Sequence, residues 1–309
     1  MKLALVTGGA GFIGSHLVRH LLENNWNVRV LDNFASGKRE NLNGINLNFE
    51  LVAGDIRDER IVKGAVKDVD VIFHEAAFVS VPQSMQQPGE CFDVNVRGTE
   101  NLIQAGREAG VSRIVLASSA AVYGDNEAMP LTEDMLTRPL SPYAASKNIN
   151  EIMARMFTRA YDFEVTSLRY FNVYGPRQNP DSQYAAAIPT FIKRCLEGKP
   201  ITIYGDGGQT RDLIFVDDVV KANLLAAENK SAPGRVFNIC SGRETRLLDL
   251  IEELLALFPN AHPPIISEPR QGDIYRSVGD PTSAQKDLGF IPQTALLDGL
   301  KATVEWMQN

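Results

Sequence analysis

The sequence predicts an α/β fold, a doubly wound parallel sheet with a smaller mixed α/β domain attached. Three observations carry the prediction. Short β-rich runs alternate with helical patterns through the first half of the chain. Those runs are apolar on both faces, as strands of a parallel sheet covered by helices must be. A glycine-rich turn also joins the first strand to the first helix.

Strands are expected at 2–6, 28–31, 49–52, 69–73, 113–117 and 165–169. Helices are expected at 13–24, 57–65, 91–109 and 142–161, where apolar residues recur at helical spacing. After Arg169 the rhythm changes. Residues 170–183 are rich in Pro, Asn and Gly and read as a structured binding loop. Beyond it, a helix at 185–197, a strand at 201–204, a strand and helix at 213–215 and 216–228, a strand at 235–239 and helices at 247–258 and 295–308 complete a smaller domain. The expected division is 1–170, with a return segment at about 211–235, for the larger domain. Segments 171–210 and 236–309 form the smaller one.

Composition bounds the function. Of 309 residues, 44% are apolar and 22% charged, as in ordinary soluble proteins. A net charge of -7, with no cluster of Lys and Arg, argues against nucleic acid or an anionic membrane as partner. No apolar run is long enough for a leader or a span, so a cytoplasmic protein is expected. Cys91, Cys195 and Cys240 are widely spaced and read as reduced, buried thiols. His16 and His20 sit four apart on a helix, where packing explains them better than zinc, so no metal is expected.

The turn Thr7-Gly8-Gly9-Ala10-Gly11-Phe12-Ile13-Gly14 sits where strand gives way to helix. Gly8 and Gly11 let the backbone approach a diphosphate, Gly14 lets the helix close on the sheet, and the helix N-terminus favours the anion. This is a Rossmann-type dinucleotide site. Asp32 ends the second strand, 18 residues past Gly14, where a carboxylate accepts ribose hydroxyls and repels a 2′-phosphate. NAD is therefore expected rather than NADP. Asp55 and Ile56 are placed to flank the adenine, although a helix cap explains Asp55 nearly as well.

The chemistry rests on Tyr143 and Lys147. Four residues apart on a helix, they share one face. A phenol with a pKa of about 10 is a poor base at pH 7. A neighbouring ammonium and a cationic nicotinamide are expected to bring it into range. Ser119, 24 residues before Tyr143, sits just past a strand end, where its hydroxyl meets a substrate alcohol. The triad points to oxidation, at least transient, of a secondary alcohol.

These motifs, with His74-Glu75-Ala76-Ala77, Asn95-Val96-Arg97-Gly98-Thr99, Ser118-Ser119 and Arg169-Tyr170-Phe171-Asn172, resemble the extended short-chain dehydrogenase/reductase family over essentially the full length. Within it the chain is most similar to the UDP-hexose 4-epimerases, which carry NAD and work as homodimers. The resemblance implies that Tyr143 takes the O4 proton while the C4 hydride passes to NAD, that the 4-keto sugar then turns over, and that the hydride returns to its other face. It extends the cofactor set to Phe12, Ile13, Asn33, Ser36, Gly37, Ala76, Ala77 and Asn95. Ser118, Tyr170 and Val173 join that set. For the nucleotide it implies Asn172 and Arg211 at the diphosphate, Tyr204 on the uracil, Arg270 at phosphate and Asp273 at the ribose. Around the sugar it implies Ser80, Ser84, Gln178, Ala186, Ala187, Ile188 and Ser277. Ala120-Ala121 stands where related 4,6-dehydratases carry an acidic pair, which favours epimerisation over elimination or decarboxylation.

Ser277 occupies the place of a bulky Tyr that restricts related enzymes to plain hexoses. UDP-GlcNAc and UDP-GalNAc are therefore expected alongside UDP-Glc and UDP-Gal, with Val79 and Tyr275 pulling the other way. Helices 91–109 and 142–161 are the expected dimer interface. The rivals are a dehydrogenase that releases oxidised product and a non-catalytic NAD-binding protein.

Overall fold

A computed structural model describes residues 1–45, 49–181, 186–269 and 274–308. Its centre is a seven-stranded, wholly parallel sheet. The strands are β1 (Leu3–Thr7), β2 (Asn27–Asp32), β3 (Glu50–Ala53), β4 (Val71–His74), β5 (Arg113–Ser119), β6 (Glu164–Tyr170) and, beyond the next four short strands, β11 (Val236–Ile239). Their spatial order is β11-β6-β5-β4-β1-β2-β3, so the direction of winding reverses between β1 and β4. A crevice opens there beyond the strand ends.

Alternation along each strand supplies two apolar layers. Ala4, Val6, Val115 and Phe237 face α1 (Phe12–Glu23), α8 (Val216–Glu228) and α10 (Thr282–Leu288). Leu5, Ile72, Ile114 and Val165 face α2 (Glu59–Ala65), α5 (Gly98–Glu108) and α6 (Pro142–Tyr161). Burying each of the Val, Leu, Ile and Phe side chains contributes about 1.5–3 kcal/mol.

The smaller lobe has its own core. Ile188, Phe191 and Ile192 of α7 (Ala187–Leu196) meet Leu250, Ile251 and Leu254 of α9 (Leu247–Leu255) and Leu300 and Val304 of α11 (Leu296–Gln308). Three two-stranded ribbons dress it. These are β7 (Asn172–Tyr174) with β10 (Leu213–Phe215), β9 (Thr210–Arg211) with β12 (Thr245–Arg246), and β8 (Thr202–Tyr204) with β13 (Ile265–Ser267).

Three expectations are corrected. Residues 236–239 do not belong to the smaller lobe, because Phe237 and Ile239 are fully buried at the edge of the main sheet. Ala284, Leu288 and Phe290 follow them into the same core. Within 170–183, Asn172–Tyr174 is a strand, since Val173 pairs in register with Ile214. The single helix expected at 91–109 is α4 (Pro88–Phe92), a π-helical turn at Asp93–Arg97, and α5. That wider turn sets Asn95 against Phe78. No helix among the described residues is long and apolar enough to cross a membrane.

Candidate active site

The glycine turn closes by backbone contact. Gly8 has φ +67°, and a Cβ there would stand 2.6 Å from the Ala76 nitrogen. A Cβ on Gly14 would stand 2.2 Å from the Gly8 carbonyl oxygen. Any side chain at either position would push α1 off the turn. The first-turn amides of α1 therefore face an open cleft of about 1100 Å³, lined by Gly8, Gly11, Phe12, Ile13 and Gly14. At its far side Asp32 is buried and anchored, accepting the amides of Ala10 at 2.9 Å and Phe34 at 2.7 Å. Asn33, Ser36, Asp55 and Ile56 continue that wall, and Ala76, Ala77 and Ser80 form the next. Gly37 packs on the Ala10 backbone behind Asp32. A backbone-lined diphosphate cradle facing a carboxylate fits a dinucleotide with free ribose hydroxyls.

Asp55 caps no helix. The N-cap of α2 is Asp58, which accepts the amides of Arg60 and Ile61. Asp55 instead receives two guanidinium bonds from Arg57 and the Asn33 amide at 2.8 Å. The Arg57 bonds lead in holding its carboxyl down at about 2.

Tyr143 lines the same cleft from the first turn of α6. The Ser141 side chain caps that helix, and Pro142 opens it. Burial is the largest influence on the Tyr143 phenol and pushes it up, while the hydrogen bond with Ser119 pulls it down. Burial therefore opposes the expected activation, in which the Lys147 ammonium acts together with the cationic ring of a bound nicotinamide. Lys147 lies 5.9 Å from the Tyr143 ring centre and donates to the Ala117 carbonyl at 2.8 Å. Burial brings this amine down to about 8, against the upward pull of Glu75.

Several residues expected to touch ligand are occupied elsewhere. Ser118 donates to Glu151 at 2.6 Å, away from the cleft. Asn95 is buried and holds both backbone groups of Phe78 and the Ser146 hydroxyl. Ser84 is fully buried, donates to the Val81 carbonyl and accepts the Tyr143 amide at 3.2 Å, so it steadies the start of α6. The Tyr170 hydroxyl meets Glu75 and Asn223.

A second cavity, of about 200 Å³, adjoins the first. Val173, Gln178 and Ala186 line both, so the two spaces meet at these side chains. Asn172, Ala187, Ile188, Arg211, Leu247 and Leu250 shape the second, which is mainly apolar with an arginine at its wall. Tyr204 lies on β8, its carbonyl accepting the Gln209 amide. Ser277 bonds by its carbonyl to the Asp212 amide, and the Tyr275 hydroxyl donates to Asp206 at 3.0 Å. Among the described residues, none of these three lines either cavity. Arg270 and Asp273 lie outside the described residues.

Sequence reasoning passed over Glu75, Arg57, Arg177 and Trp306, all of which line the cleft. Glu75 had a signal, since it stands between His74 and Ala76 directly after a strand end. Trp306 had none, because only the folded chain brings α11 near the turn.

The comparisons agree with this geometry. A family model described as the NAD dependent epimerase/dehydratase family matches residues 4–240. A UDP-glucose 4-epimerase of Mycolicibacterium smegmatis is 41% identical over 99% of this chain and 98% of its own. The solved UDP-N-acetylglucosamine 4-epimerase of Methanobrevibacter ruminantium, in complex with UDP-N-acetylmuramic acid, is 38% identical. It superposes with a TM-score of 0.95 over 99% of this chain and 98% of its own. The UDP-glucose 4-epimerase of Thermus thermophilus, solved with NAD, is 36% identical with a TM-score of 0.90 over 100% and 99%.

Proposed function

The chain belongs to the NAD-dependent epimerase/dehydratase family, and we propose that it interconverts UDP-GlcNAc and UDP-GalNAc, and UDP-Glc and UDP-Gal, by epimerisation at C4. It is an NAD-dependent UDP-sugar 4-epimerase. The observation that carries the reading is the junction of two cavities. Tyr143 lines the cleft that opens, past Val173, Gln178 and Ala186, into a pocket walled by Asn172 and Arg211. A nucleotide gripped in the smaller pocket, with Arg211 on its diphosphate, extends its sugar back toward Tyr143.

A bound NAD would supply the acceptor, and then the donor, of the hydride at sugar C4. Tyr143 accepts the O4 proton, and Ser119 steadies the oxygen. Lys147, pinned to the Ala117 carbonyl, supplies positive charge beside the phenol and a donor for the nicotinamide ribose. Gly8, Gly11 and Gly14 hold the diphosphate of the cofactor, and Asp32 its adenosine ribose. Small walls at Ser80 and Ala186 leave the ring room to turn over and to carry an acetamido group. Residues 1–170, with α8 and β11, hold the cofactor, and the smaller lobe holds the sugar nucleotide. The chain pairs as a homodimer through α5 and α6, where Ile152, Met156 and Tyr161 present exposed apolar side chains.

The test is incubation of the purified protein with UDP-GlcNAc and with UDP-Glc, followed by resolution of the epimers. Tyr143→Phe is the control. It should keep its cofactor and lose about 10²–10⁴-fold in turnover. An unchanged rate would end the assignment.

A further inference from the structure

One ionisable group in the cleft has no part in the proton transfer assigned to Tyr143, Ser119 and Lys147. Glu75 directly follows β4, its amide bonded to the Thr7 carbonyl at 3.1 Å. Its carboxyl accepts the Tyr170 hydroxyl at 2.7 Å, and that hydroxyl in turn accepts the Asn223 amide at 2.8 Å. Tyr170 and Asn223 are buried and come from the end of β6 and from α8. Two hydrogen bonds therefore run through the protein interior to a carboxyl that lines the cleft beside Ala76, Ala77 and Tyr143.

Few charges face this carboxyl. From α6 come the Lys147 ammonium and the Tyr143 phenol, and from β6 the Tyr170 phenol. Burial raises both phenols above their ordinary range, and only Tyr143 would be brought back down, by the cationic ring of a bound NAD. His74, on the same strand end, bonds to Thr7 and Thr99 instead, and burial holds it neutral down to about 3. Burial pushes Glu75 up to about 7, against the pull of the Tyr170 bond and of Lys147. The carboxyl thus changes charge at neutral pH, and Lys147 is the ammonium that feels it.

We propose that Glu75 is an electrostatic positioning residue for the reaction, its carboxylate in the cleft wall favouring the oxidised, cationic nicotinamide over the reduced, neutral one. This rests on the NAD-dependent reading above. The nicotinamide ring loses its positive charge on reduction, so a fixed negative charge in a wall of low polarity stabilises the oxidised form selectively. An epimerase must give its hydride back in every turnover. A bias toward the oxidised ring hastens that return and guards against release of sugar from a reduced enzyme.

The test uses the holoenzyme without sugar. Sodium cyanoborohydride transfers a hydride, two electrons with one hydrogen nucleus, from boron to the ring, and the product is read at 340 nm. Wild type, Glu75→Gln and Tyr170→Phe are compared from pH 5.5 to 9. Glu75→Gln keeps an acceptor for Tyr170 and never ionises. Its reduction should match wild type at pH 5.5 and exceed it by about threefold or more above pH 8, with the ratio rising near pH 7. Tyr170→Phe keeps the carboxyl but loses the bond that favours its ionised form. It should be faster than wild type at pH 7 and equal to it at pH 9. A ratio that is flat with pH, or no difference in either variant, overturns the proposal. Wild type that carries no reducible cofactor would instead sink the NAD reading, so the two failures are distinct.

Discussion

Replacing Glu151 by Met removes the centre of a buried network behind the reacting groups. Glu151 is fully buried, one helical turn past Lys147, and accepts from the Ser118 hydroxyl at 2.6 Å and from Arg169 Nε and Nη2 at 2.8 and 2.7 Å. Arg169 is 1% exposed and also donates to the Tyr123 hydroxyl at 2.8 Å, which itself donates to the Asn238 side-chain oxygen at 2.6 Å. Without the carboxylate, a buried guanidinium loses two charged bonds and cannot reach water. Breaking such a pair costs about 3–5 kcal/mol, and the orphaned Ser118 hydroxyl adds about 1 kcal/mol. With a urea slope of roughly 3 kcal/mol per M, the midpoint should fall by about 1.3–2 M. The double variant Glu151→Met/Arg169→Met carries no uncompensated charge, so it should recover at least half of the loss. Urea unfolding followed by circular dichroism reads both. A single variant that loses less than ~1 kcal/mol refutes the reasoning, as does a double variant that loses the sum of the two singles.

Three further outcomes follow from the same geometry. In Gly14→Ala the new methyl meets the Gly8 carbonyl oxygen at 2.2 Å and backbone carbons at 2.8 Å. None of these can yield, so the variant should lose about 3 kcal/mol or more and purify without NAD, read by the absorbance of perchloric-acid extracts. Lys147 is an ammonium below about 8 and neutral above it. The kcat/KM profile should therefore fall as pH rises through about 8, and Lys147→Arg should move that fall beyond the measured range at a reduced rate. Ser277 lines neither cavity, so the gate rests on the family resemblance, by which Ser277→Tyr should suppress turnover of N-acetylated sugars while sparing UDP-Gal; equal loss of both in a product assay would exclude position 277 as the gate.

The parallel sheet was legible because its strands are apolar on both faces, and the glycine turn because no other residue fits Gly8 or Gly14. The edge strand at Val236–Ile239 was misassigned for a physical reason. Four apolar-rich residues at the end of a chain segment suit either lobe, and only Phe237 seated against α8 and α10 decides. Residue types at the site were readable, but the directions of side chains were less so. Neighbours on a strand point to opposite faces, so Ser118 turned toward Glu151 leaves Ser119 for Tyr143, a parity the sequence already contained. Asn95 and Ser84 could not be placed that way, since a π-helical turn and a short helix fix their aim. The upward push of burial on Tyr143 belongs to the folded pocket and leaves no trace in spacing.

The most direct test of the central claim follows the hydrogen on C4. UDP-GlcNAc and UDP-Glc deuterated at C4 are incubated with the enzyme without added cofactor, and the epimers are resolved by mass and NMR. The account predicts both 4-epimers, with the deuterium kept at C4 and no net NADH. Deuterium lost to water, or reduced cofactor accumulating in step with product, would contradict it.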